Sequence, residues 1–239
     1  MIIFENDNFI IVNKPSGLLV HADHTQEADL LSLLQNDKKS TAPTASINRD
    51  QSASKNKTDS YLSPLHLLNR LDKETSGLVL IVKKTELVPD FQALLEHSTK
   101  KYIAVLRGHL PVHDDLQIWD WPISDKAEGG ENPQGKTADR KPAVTKFKVL
   151  QSNSYFSLVE LQIETGRQHQ IRKHARLAGR PVVGDNRYGN AKDNTKIKDR
   201  YRFARMALHA YQLILTPDFT WGEVNEFTCP IPSEFESLF

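Results

Sequence analysis

An arginine and an aspartate two positions apart are the first residues in this chain whose types and spacing suggest chemistry. Arg70 and Asp72 precede the apolar run 78–82, which has the composition of a buried strand. In extended backbone, residues two apart point to the same side, so the two side chains would share a face near the mouth of that strand. A carboxylate there is partly shielded from water and needs a partner. The alternative is a solvated ion pair beside the turn 75–77, which would contribute little to stability.

The segment 165–180 is a second candidate, because it holds five basic residues and no acidic residue. Thr165 is a residue type that begins helices and Gly179 is one that ends them, so the pattern predicts a helix between them. Ile171, Ala175 and Ala178 would form its narrow apolar stripe. Such a concentration of positive charge indicates either a nucleic-acid-binding face or a solvated helix surface.

The composition bounds the class of protein. The chain has 239 residues with 31 Lys or Arg and 30 Asp or Glu, and its net charge of +1 gives no overall signal for nucleic acid. The single cysteine, Cys229, excludes a disulfide framework and indicates a reducing compartment, with a packed thiol as its expected role. We find neither a secretory signal nor an apolar run near the roughly 20 residues that cross a membrane. We therefore expect a cytoplasmic protein with no membrane contact.

The hydrophobic pattern predicts many strands and about three helices that do not alternate regularly. Strands are predicted at 9–12, 78–82, 101–108, 145–150, 155–164, 207–215 and 226–229. Helices are predicted at 27–35, 86–99 and 165–179. This arrangement favours an α+β fold in which helices pack on a mixed, mainly antiparallel sheet.

The segment 37–60 interrupts this pattern, because it is polar throughout and contains no aromatic residue. It cannot bury enough apolar surface to offset its ordering entropy, and it is longer than the loops usual in compact domains. We interpret it as a flexible insertion in a single catalytic domain that spans 1–239, since the residues before it are too few to hold a core. Its basic residues leave open that RNA orders it as a lid.

Four blocks of the sequence resemble the RluA family of pseudouridine synthases, in family order and over nearly the whole chain. They are NKPSGL at 13–18 with His21, RLDKETSGL at 70–78, KYIA at 101–104, and TGRQHQIR at 165–172 continuing to GDNRYG at 184–189. The blocks around Asp72 and Arg172 are highly specific. One departure is Asn69, which stands where the family usually has histidine. We also expect no separate RNA-binding domain before the opening block.

The resemblance implies a bent, mainly antiparallel sheet and the isomerisation of uridine in RNA to its C-glycoside. Asp72 would be the nucleophile, and Arg172 would keep its carboxylate ionised. Tyr102 would stack on the uracil after the base leaves its stack, and its hydroxyl could help to remove the C5 proton. The reaction needs no cofactor or metal. In agreement, His169 and His174 are five residues apart, which does not place two imidazoles on one helical face.

The resemblance also implies a set of substrate contacts and a partner. We expect the substrate to be bound by Arg70, Arg167, His169, Lys173, Arg176, Ile171 and Leu208. The partner would be ribosomal or transfer RNA, and the enzyme is expected to be a monomer. Two alternatives remain open from the residues alone: an RNA-binding module without catalysis, and a glycoside or nucleoside hydrolase that would release free uracil. Asp72 with Glu74 could suggest the paired carboxylates of a glycosidase, but the turn lies between Glu74 and the strand, so we expect Glu74 to point to solvent.

Overall fold

The structure of the protein is a computed structural model that describes residues 1–21, 29–41, 64–216 and 224–239. Its strands are β1 (Ile2–Glu5), β2 (Phe9–Lys14), β3 (His66–Leu67), β4 (Ser76–Val82), β5 (Thr99–Arg107), β6 (Gln117–Trp119), β7 (Ile123–Ser124), β8 (Arg140–Lys141), β9 (Thr145–Ser152), β10 (Phe156–Ile163), β11 (Leu208–Ile214) and β12 (Glu226–Thr228). Its α-helices are α1 (Leu30–Thr41), α2 (Val88–Glu96), α3 (Gln170–Leu177) and α4 (Ala191–Tyr201). Short 3₁₀ segments cover Thr85–Leu87, Thr137–Asp139 and Ser233–Leu238.

Ten of the described strands form one sheet. Eight of them follow the order β1-β2-β4-β11-β5-β10-β9-β6, while β3 pairs with β4 and β12 pairs with β11. Neighbouring strands are antiparallel except β4 and β11, which run parallel. Strands β7 and β8 form a separate antiparallel pair. The predicted α+β fold with a mixed, mainly antiparallel sheet is confirmed.

Strand β4 is buried over its whole length, because both faces of the sheet are covered at this point. Leu78 and Leu80 pack on one face in a cluster with Phe9. Val79 and Ile81 pack on the other face, against residues of β2 and α1. A continuous apolar run is typical of a strand covered on both faces, so the sequence pattern identified this strand correctly. A third cluster fills the other half of the sheet, between β5, β9 and β10 and the helices α3 and α4.

The turn predicted at 75–77 ends inside strand β4, which already begins at Ser76. Gly77 has a φ of +118°, and a Cβ at this position would lie 2.2 Å from the carbonyl oxygen of Ala210. Glycine is the one residue type that permits both the backbone conformation and this approach. Ala210 is paired with Gly77 across the parallel ladder, so β11 meets β4 directly after the loop that carries Asp72.

Helix α3 is shorter than predicted. It begins at Gln170, and the Thr165 hydroxyl donates to Gln170 Oε1 at 2.7 Å instead of capping the helix. The residue before the helix is His169, whose φ of +57° lies in the left-handed region. The end agrees with the prediction, because Gly179 has a φ of +69° and the amide of Arg180 donates back to the Ala175 carbonyl at 2.8 Å.

Helix α1 starts at Leu30 and continues through Thr41, beyond the predicted end at residue 35. The backbone of 37–41 is therefore helical, which moves the end of this element into the segment that we interpret as an insertion. Residues 42–60 of that segment lie outside the described residues, so a flexible insertion stays a prediction. Residues 27 and 28, where the helix was predicted to begin, also lie outside them.

Helix α4 was missed, because the sequence 191–201 reads as a polar stretch. The Asn190 side chain caps it by accepting from the amides of Lys192 at 2.9 Å and Asp193 at 3.2 Å. Ile197 is its one buried residue, which leaves no apolar stripe for periodicity to detect. Among the described helices, none has the length and apolar character that a membrane crossing requires.

Candidate active site

The loop that carries Asp72 is held by the opening block of the sequence. Gly17 donates its amide to the Lys73 carbonyl at 2.8 Å, and the Ser16 hydroxyl donates to the Glu74 carbonyl at 2.6 Å. The two residues that follow Asp72 are therefore fixed by hydrogen bonds to residues almost 60 positions earlier.

A buried ammonium completes this anchor. Lys14, at the end of β2, is fully buried and its Nζ donates to the carbonyls of Pro15 at 3.0 Å, Leu18 at 2.8 Å and Lys73 at 3.0 Å. Burial lowers the pKa of Lys14 to about 8, against the opposing charges of Asp72 and Glu74. One side chain thus joins the opening turn to the Asp72 loop. The resemblance to the family assigned no role to Lys14. Its role as an anchor is apparent only in the structure.

Asp72 and Arg172 form the predicted pair. Arg172 lies in the first turn of α3, one hundred residues after Asp72, and its Nη1 donates to Asp72 Oδ2 at 2.7 Å. The Arg172 side chain is buried, whereas the Asp72 side chain keeps 24 % of its surface exposed. The carboxylate is therefore neither buried nor facing open solvent, and it is paired with a cation that has little access to water.

A second carboxylate holds the arginine in place. Asp185, which is fully buried, accepts from Arg172 Nε at 2.7 Å and from Nη2 at 2.9 Å. The same carboxylate accepts the amides of Arg187 at 2.9 Å and Tyr188 at 3.0 Å. Burial lowers the pKa of Arg172, but its hydrogen bonds and the charges of the two aspartates outweigh burial, so the pKa is raised. Sequence reasoning placed Asp185 in a block without assigning it this function.

His169 approaches the other oxygen of Asp72. Its Nε2 lies 3.5 Å from Asp72 Oδ1, and its Nδ1 lies 3.0 Å from the hydroxyl of the buried Tyr188. Burial lowers the pKa of His169, assisted by the charge of Arg172 and opposed by that of Asp72, so the imidazole is neutral at neutral pH. The ring of Tyr188 also supports the guanidinium of Arg172, whose Cζ lies 5.3 Å from the ring centre. Tyr188 is another residue that the sequence did not single out.

Tyr102 lies in the middle of the sheet, on β5, opposite Leu161 of β10 and Ala210 of β11. Burial, and after it the negative charge of Asp72, raise the pKa of the Tyr102 hydroxyl. The hydroxyl is therefore protonated at neutral pH, which makes it a hydrogen-bond donor and a weak base. Stacking of its ring on the uracil stays a prediction.

The predicted substrate-binding arginines differ in their exposure and contacts. Arg70 and Arg176 are exposed, and Arg176 Nε donates to the Gly130 carbonyl at 3.2 Å. Arg167 lies beside Asp125 with an Nη1–Oδ2 distance of 3.7 Å, and its buried Nε has no hydrogen-bond partner among the described residues. Glu74 points to solvent as expected, with its Oε2 4.0 Å from Arg172 Nη1.

Lys173, Ile171 and Leu208 require correction. Lys173 is fully buried, and its Nζ donates to the carbonyls of Ser124 at 2.8 Å and Lys126 at 2.7 Å. These contacts bind the loop between β7 and β8 to α3 and leave the ammonium inaccessible to RNA. Ile171 and Leu208 are only 5 % and 3 % exposed and belong to the core cluster around β5 and β10, so we assign them to core packing instead of a uracil pocket.

Asn69 has a structural role in this chain. Its Nδ2 donates to the Leu78 carbonyl at 3.1 Å, and its Oδ1 accepts the Leu80 amide at 2.7 Å. The side-chain amide thus pairs with β4 as a backbone peptide would. The donor and acceptor nitrogens of a neutral imidazole point away from each other and cannot pair with one strand in this way, so the departure from the family pattern is matched by a local contact.

Cys229 is a packed thiol, as the sequence indicated, and burial raises its pKa to about 12. Its Sγ lies 3.2 Å from Nε2 of the buried His209, whose Nδ1 lies 2.7 Å from the Ser76 hydroxyl. Among the described residues, no group of three or more His, Cys, Asp or Glu is arranged to hold a metal ion.

This buried histidine predicts loss of stability in mild acid. Burial, with the charge of Arg205, lowers the pKa of His209 from 6.5 to about 4. Between about pH 6.5 and pH 4, His209 is protonated in the unfolded chain but neutral in the folded protein. Lowering the pH through this interval therefore destabilises the folded state by about 3 kcal/mol. The free energy of unfolding, measured by urea denaturation at several pH values, should fall by about 3 kcal/mol less in His209→Gln than in the wild-type protein over the same pH interval. Equal pH dependence in the two proteins would contradict the assignment.

The mainly antiparallel sheet thus carries a partly exposed aspartate paired with a buried arginine, and the half-buried Tyr102 lies close enough for the charge of Asp72 to act on its hydroxyl. Residues 8–177 match the family described as RNA pseudouridylate synthase. The chain belongs to this family.

Named relatives of the chain support its membership of this family. The chain is 32 % identical to the ribosomal large subunit pseudouridine synthase D of Nitrosomonas europaea, over 99 % of this chain and 63 % of that protein. It is 35 % identical to an uncharacterized RNA pseudouridine synthase of Bacillus subtilis, over 99 % of this chain and 71 % of that one. A ribosomal large subunit pseudouridine synthase C, from Pasteurella multocida, is 27 % identical over 99 % of this chain and 66 % of its own length. These relatives confirm the resemblance to the RluA family, and the chain spans about three fifths of the length of the first of them.

Two solved human structures share the fold. RNA pseudouridylate synthase domain containing 4 is 26 % identical with a TM-score of 0.71, over 99 % of this chain and 90 % of that one. RNA pseudouridylate synthase domain containing 1 is 24 % identical with a TM-score of 0.69, and the alignment covers 96 % of this chain and 82 % of that one. Because both alignments cover nearly the whole chain, the similarity extends beyond the residues that the family match includes.

Proposed function

We propose that this protein isomerises specific uridines in RNA to pseudouridine, with Asp72 as the nucleophile. The observation that carries the proposal is the arrangement of the Asp72 carboxylate. Oδ2 is held by Arg172 at 2.7 Å, whereas Oδ1 faces Nε2 of His169 at the longer distance of 3.5 Å. One oxygen is thus fixed by a cation, and the other is available to a substrate in a cleft that keeps the group partly exposed.

In the proposed reaction, the target uridine leaves its stack and enters beside Asp72. The N1–C1′ bond breaks, the uracil turns, and C5 bonds to C1′. C5 then loses its proton and N1 gains one, so the product is an isomer of the substrate. Asp72 Oδ1 bonds transiently to C1′ or C6 and is released before the product leaves. Nothing is oxidised or transferred to another molecule, and the proposal requires no cofactor.

The surrounding residues have separate proposed roles. Tyr102 stacks on the extruded uracil, which contributes about 1–3 kcal/mol. Arg172 keeps Asp72 ionised and aimed, and Asp185 keeps Arg172 from moving. Arg70 is exposed close to Asp72 in sequence and is proposed to fill the space that the base vacates or to hold a phosphate. The partly exposed guanidinium of Arg167 is proposed to bind a substrate group.

The names of the relatives support ribosomal RNA as the substrate, because several are named for the large ribosomal subunit. Transfer RNA is the other candidate. We propose that residues 1–239 act as one catalytic domain and as a monomer, in the cytoplasm where these RNAs are found in bacteria.

Tritium release from RNA that contains 5-tritiated uridine tests this proposal. An isomerase is expected to release tritium and to leave pseudouridine in the RNA, which chromatography of the digested nucleosides identifies. Free uracil would instead indicate a hydrolase, and binding without either product would indicate an RNA-binding module. Both of these results would contradict the proposed function. Ribosomal and transfer RNA assayed side by side would identify the substrate.

A further inference from the structure

The chain has a second concentration of positive charge, outside the site described above. Residues 187–205, which contain helix α4, include seven Lys or Arg residues, two Asp residues and no Glu residue. On a chain with a net charge of +1, the remaining residues therefore carry a net negative charge. A local excess of this size concentrates positive potential on the side of the molecule where α4 lies.

Two adjoining depressions run along one side of α4. The first has a volume of about 320 Å³, and its charged lining consists of Arg107, Arg176, Arg180 and Asp193. The second, of about 150 Å³, shares Arg107 and Asp193 with the first and adds Lys196 and Arg200. We call the two together the α4 groove. Its lining holds five cations and one carboxylate, and that carboxylate is partly neutralised by Arg107, 3.7 Å away.

Aromatic residues accompany these cations. Tyr155 lines the groove and is 55 % exposed, so its ring is open to solvent. Tyr201 lies next to it, with the Arg200 guanidinium 5.5 Å from its ring centre. A basic groove with accessible aromatic rings is the surface that single-stranded nucleic acid uses, with phosphates on the cations and bases on the rings.

The groove begins close to the active site. Arg172 and Arg176 are four residues apart on α3, which is about 6 Å along the helix axis. Arg172 holds Asp72, whereas Arg176 lines the groove. Asp185 and Tyr188 support Arg172, and the next two residues, Gly189 and Asn190, line the groove. RNA that leaves the site along α3 therefore meets the groove within a few nucleotides.

We propose that the α4 groove binds the single-stranded RNA that flanks the target uridine, as a docking surface separate from the catalytic cleft. This inference rests on the proposed function, because it assumes an RNA substrate. The groove supplies affinity for longer RNA and leaves the chemistry at Asp72 unaffected. The charge and the exposed rings favour RNA over an acidic protein surface, which would use the cations alone.

Paired substitutions on one helix test this proposal. Lys196→Ala with Arg200→Ala removes two groove cations, and Lys192→Ala with Lys198→Ala removes two exposed cations of α4 that do not line the groove. Binding would be measured by fluorescence anisotropy with two labelled RNAs, a minimal hairpin around a target uridine and the same hairpin with single-stranded flanks. The salt dependence of each dissociation constant would be recorded.

We expect the groove pair to weaken binding of the flanked RNA about tenfold and to reduce the slope of log K against log salt by about 1.4, the value for two lost contacts on a single strand. Binding of the minimal hairpin and kcat at saturating RNA should stay the same, while the KM for flanked RNA rises. The control pair should change each value less than twofold. Equal losses in both pairs, or normal binding of flanked RNA by the groove pair, would overturn the proposal.

Failure of the groove and failure of the proposed function are distinguishable. Anisotropy decides whether the groove binds RNA even if wild-type protein releases no tritium. Conversely, tritium release from the minimal hairpin tests the isomerase reaction without any contribution from the groove.

Discussion

Asp72→Asn is expected to lower pseudouridine formation by at least about 10³-fold, the scale of effect seen when a covalent nucleophile is removed. An amide oxygen is too weak a nucleophile to replace the carboxylate. The fold should survive, because Arg172 keeps its two hydrogen bonds to Asp185 and the asparagine can still accept from Arg172 Nη1. RNA binding should also remain, since the substitution removes a negative charge from the site.

Three measurements on the same protein preparation separate these effects. Tritium release gives the activity, anisotropy gives the RNA affinity, and urea denaturation gives the free energy of unfolding. Glu74→Gln is the matched control, because it removes a carboxylate from the same loop at an exposed position. It should retain activity within a few fold. Normal turnover by Asp72→Asn, or an equal loss in the control, would eliminate Asp72 as the nucleophile.

Asp185→Ala is expected to damage both stability and activity. It removes the acceptor for two N–H groups of the Arg172 guanidinium and for two backbone amides, all in a fully buried position. Breaking a buried ion pair typically costs about 3–5 kcal/mol. Activity should also fall at least about 100-fold, because Arg172 would no longer be fixed against Asp72.

A double-mutant cycle tests this expectation even if Asp185→Ala folds poorly. Removing both partners of this pair leaves no uncompensated buried charge, because the Asp72 carboxylate that also loses Arg172 is partly exposed to water. Asp185→Leu with Arg172→Met should therefore be more stable than Asp185→Leu alone. Unfolding by urea gives the coupling energy. Additive effects of the two substitutions would show that the pair is not coupled. In the wild-type protein, hydrogen bonds from Arg172 overcome burial and lower the pKa of Asp185, so its contribution is present above about pH 4 and is lost in stronger acid.

Local patterns in the sequence were sufficient to predict some parts of the fold and of the site but not others. Strand β4 was predictable because burial on both faces requires a continuous apolar run. Asp72 stood out because a charged residue next to such a run needs a partner. The identity of that partner is not a local property, since Arg172 lies one hundred residues away, and only the family resemblance indicated it. Asp185 received no role, because its contacts exist only once the chain has folded.

The basic residues of α3 show a second limit. Periodicity assigns one face of a helix to the core and the opposite face to water, and this rule placed Ile171 and Ala175 correctly. Lys173 is on the outer side, yet it is fully buried, because the end of β7 and the loop after it cover that side and accept hydrogen bonds from its ammonium through the carbonyls of Ser124 and Lys126. The sequence of that loop indicated only a polar excursion. The burial of Lys173 was therefore decided by a segment nearly 50 residues earlier in the chain.

The buried ammonium of Lys14 has a consequence for how this chain tolerates changes of length. Lys14 Nζ donates to the Lys73 carbonyl at 3.0 Å, so the fold holds the two ends of the intervening sequence together. The positions of these ends do not depend on how long that sequence is. Doubling the length of a loop between fixed ends costs only about 0.6 kcal/mol. Insertions and deletions within that sequence can therefore accumulate during evolution without displacing the aspartate.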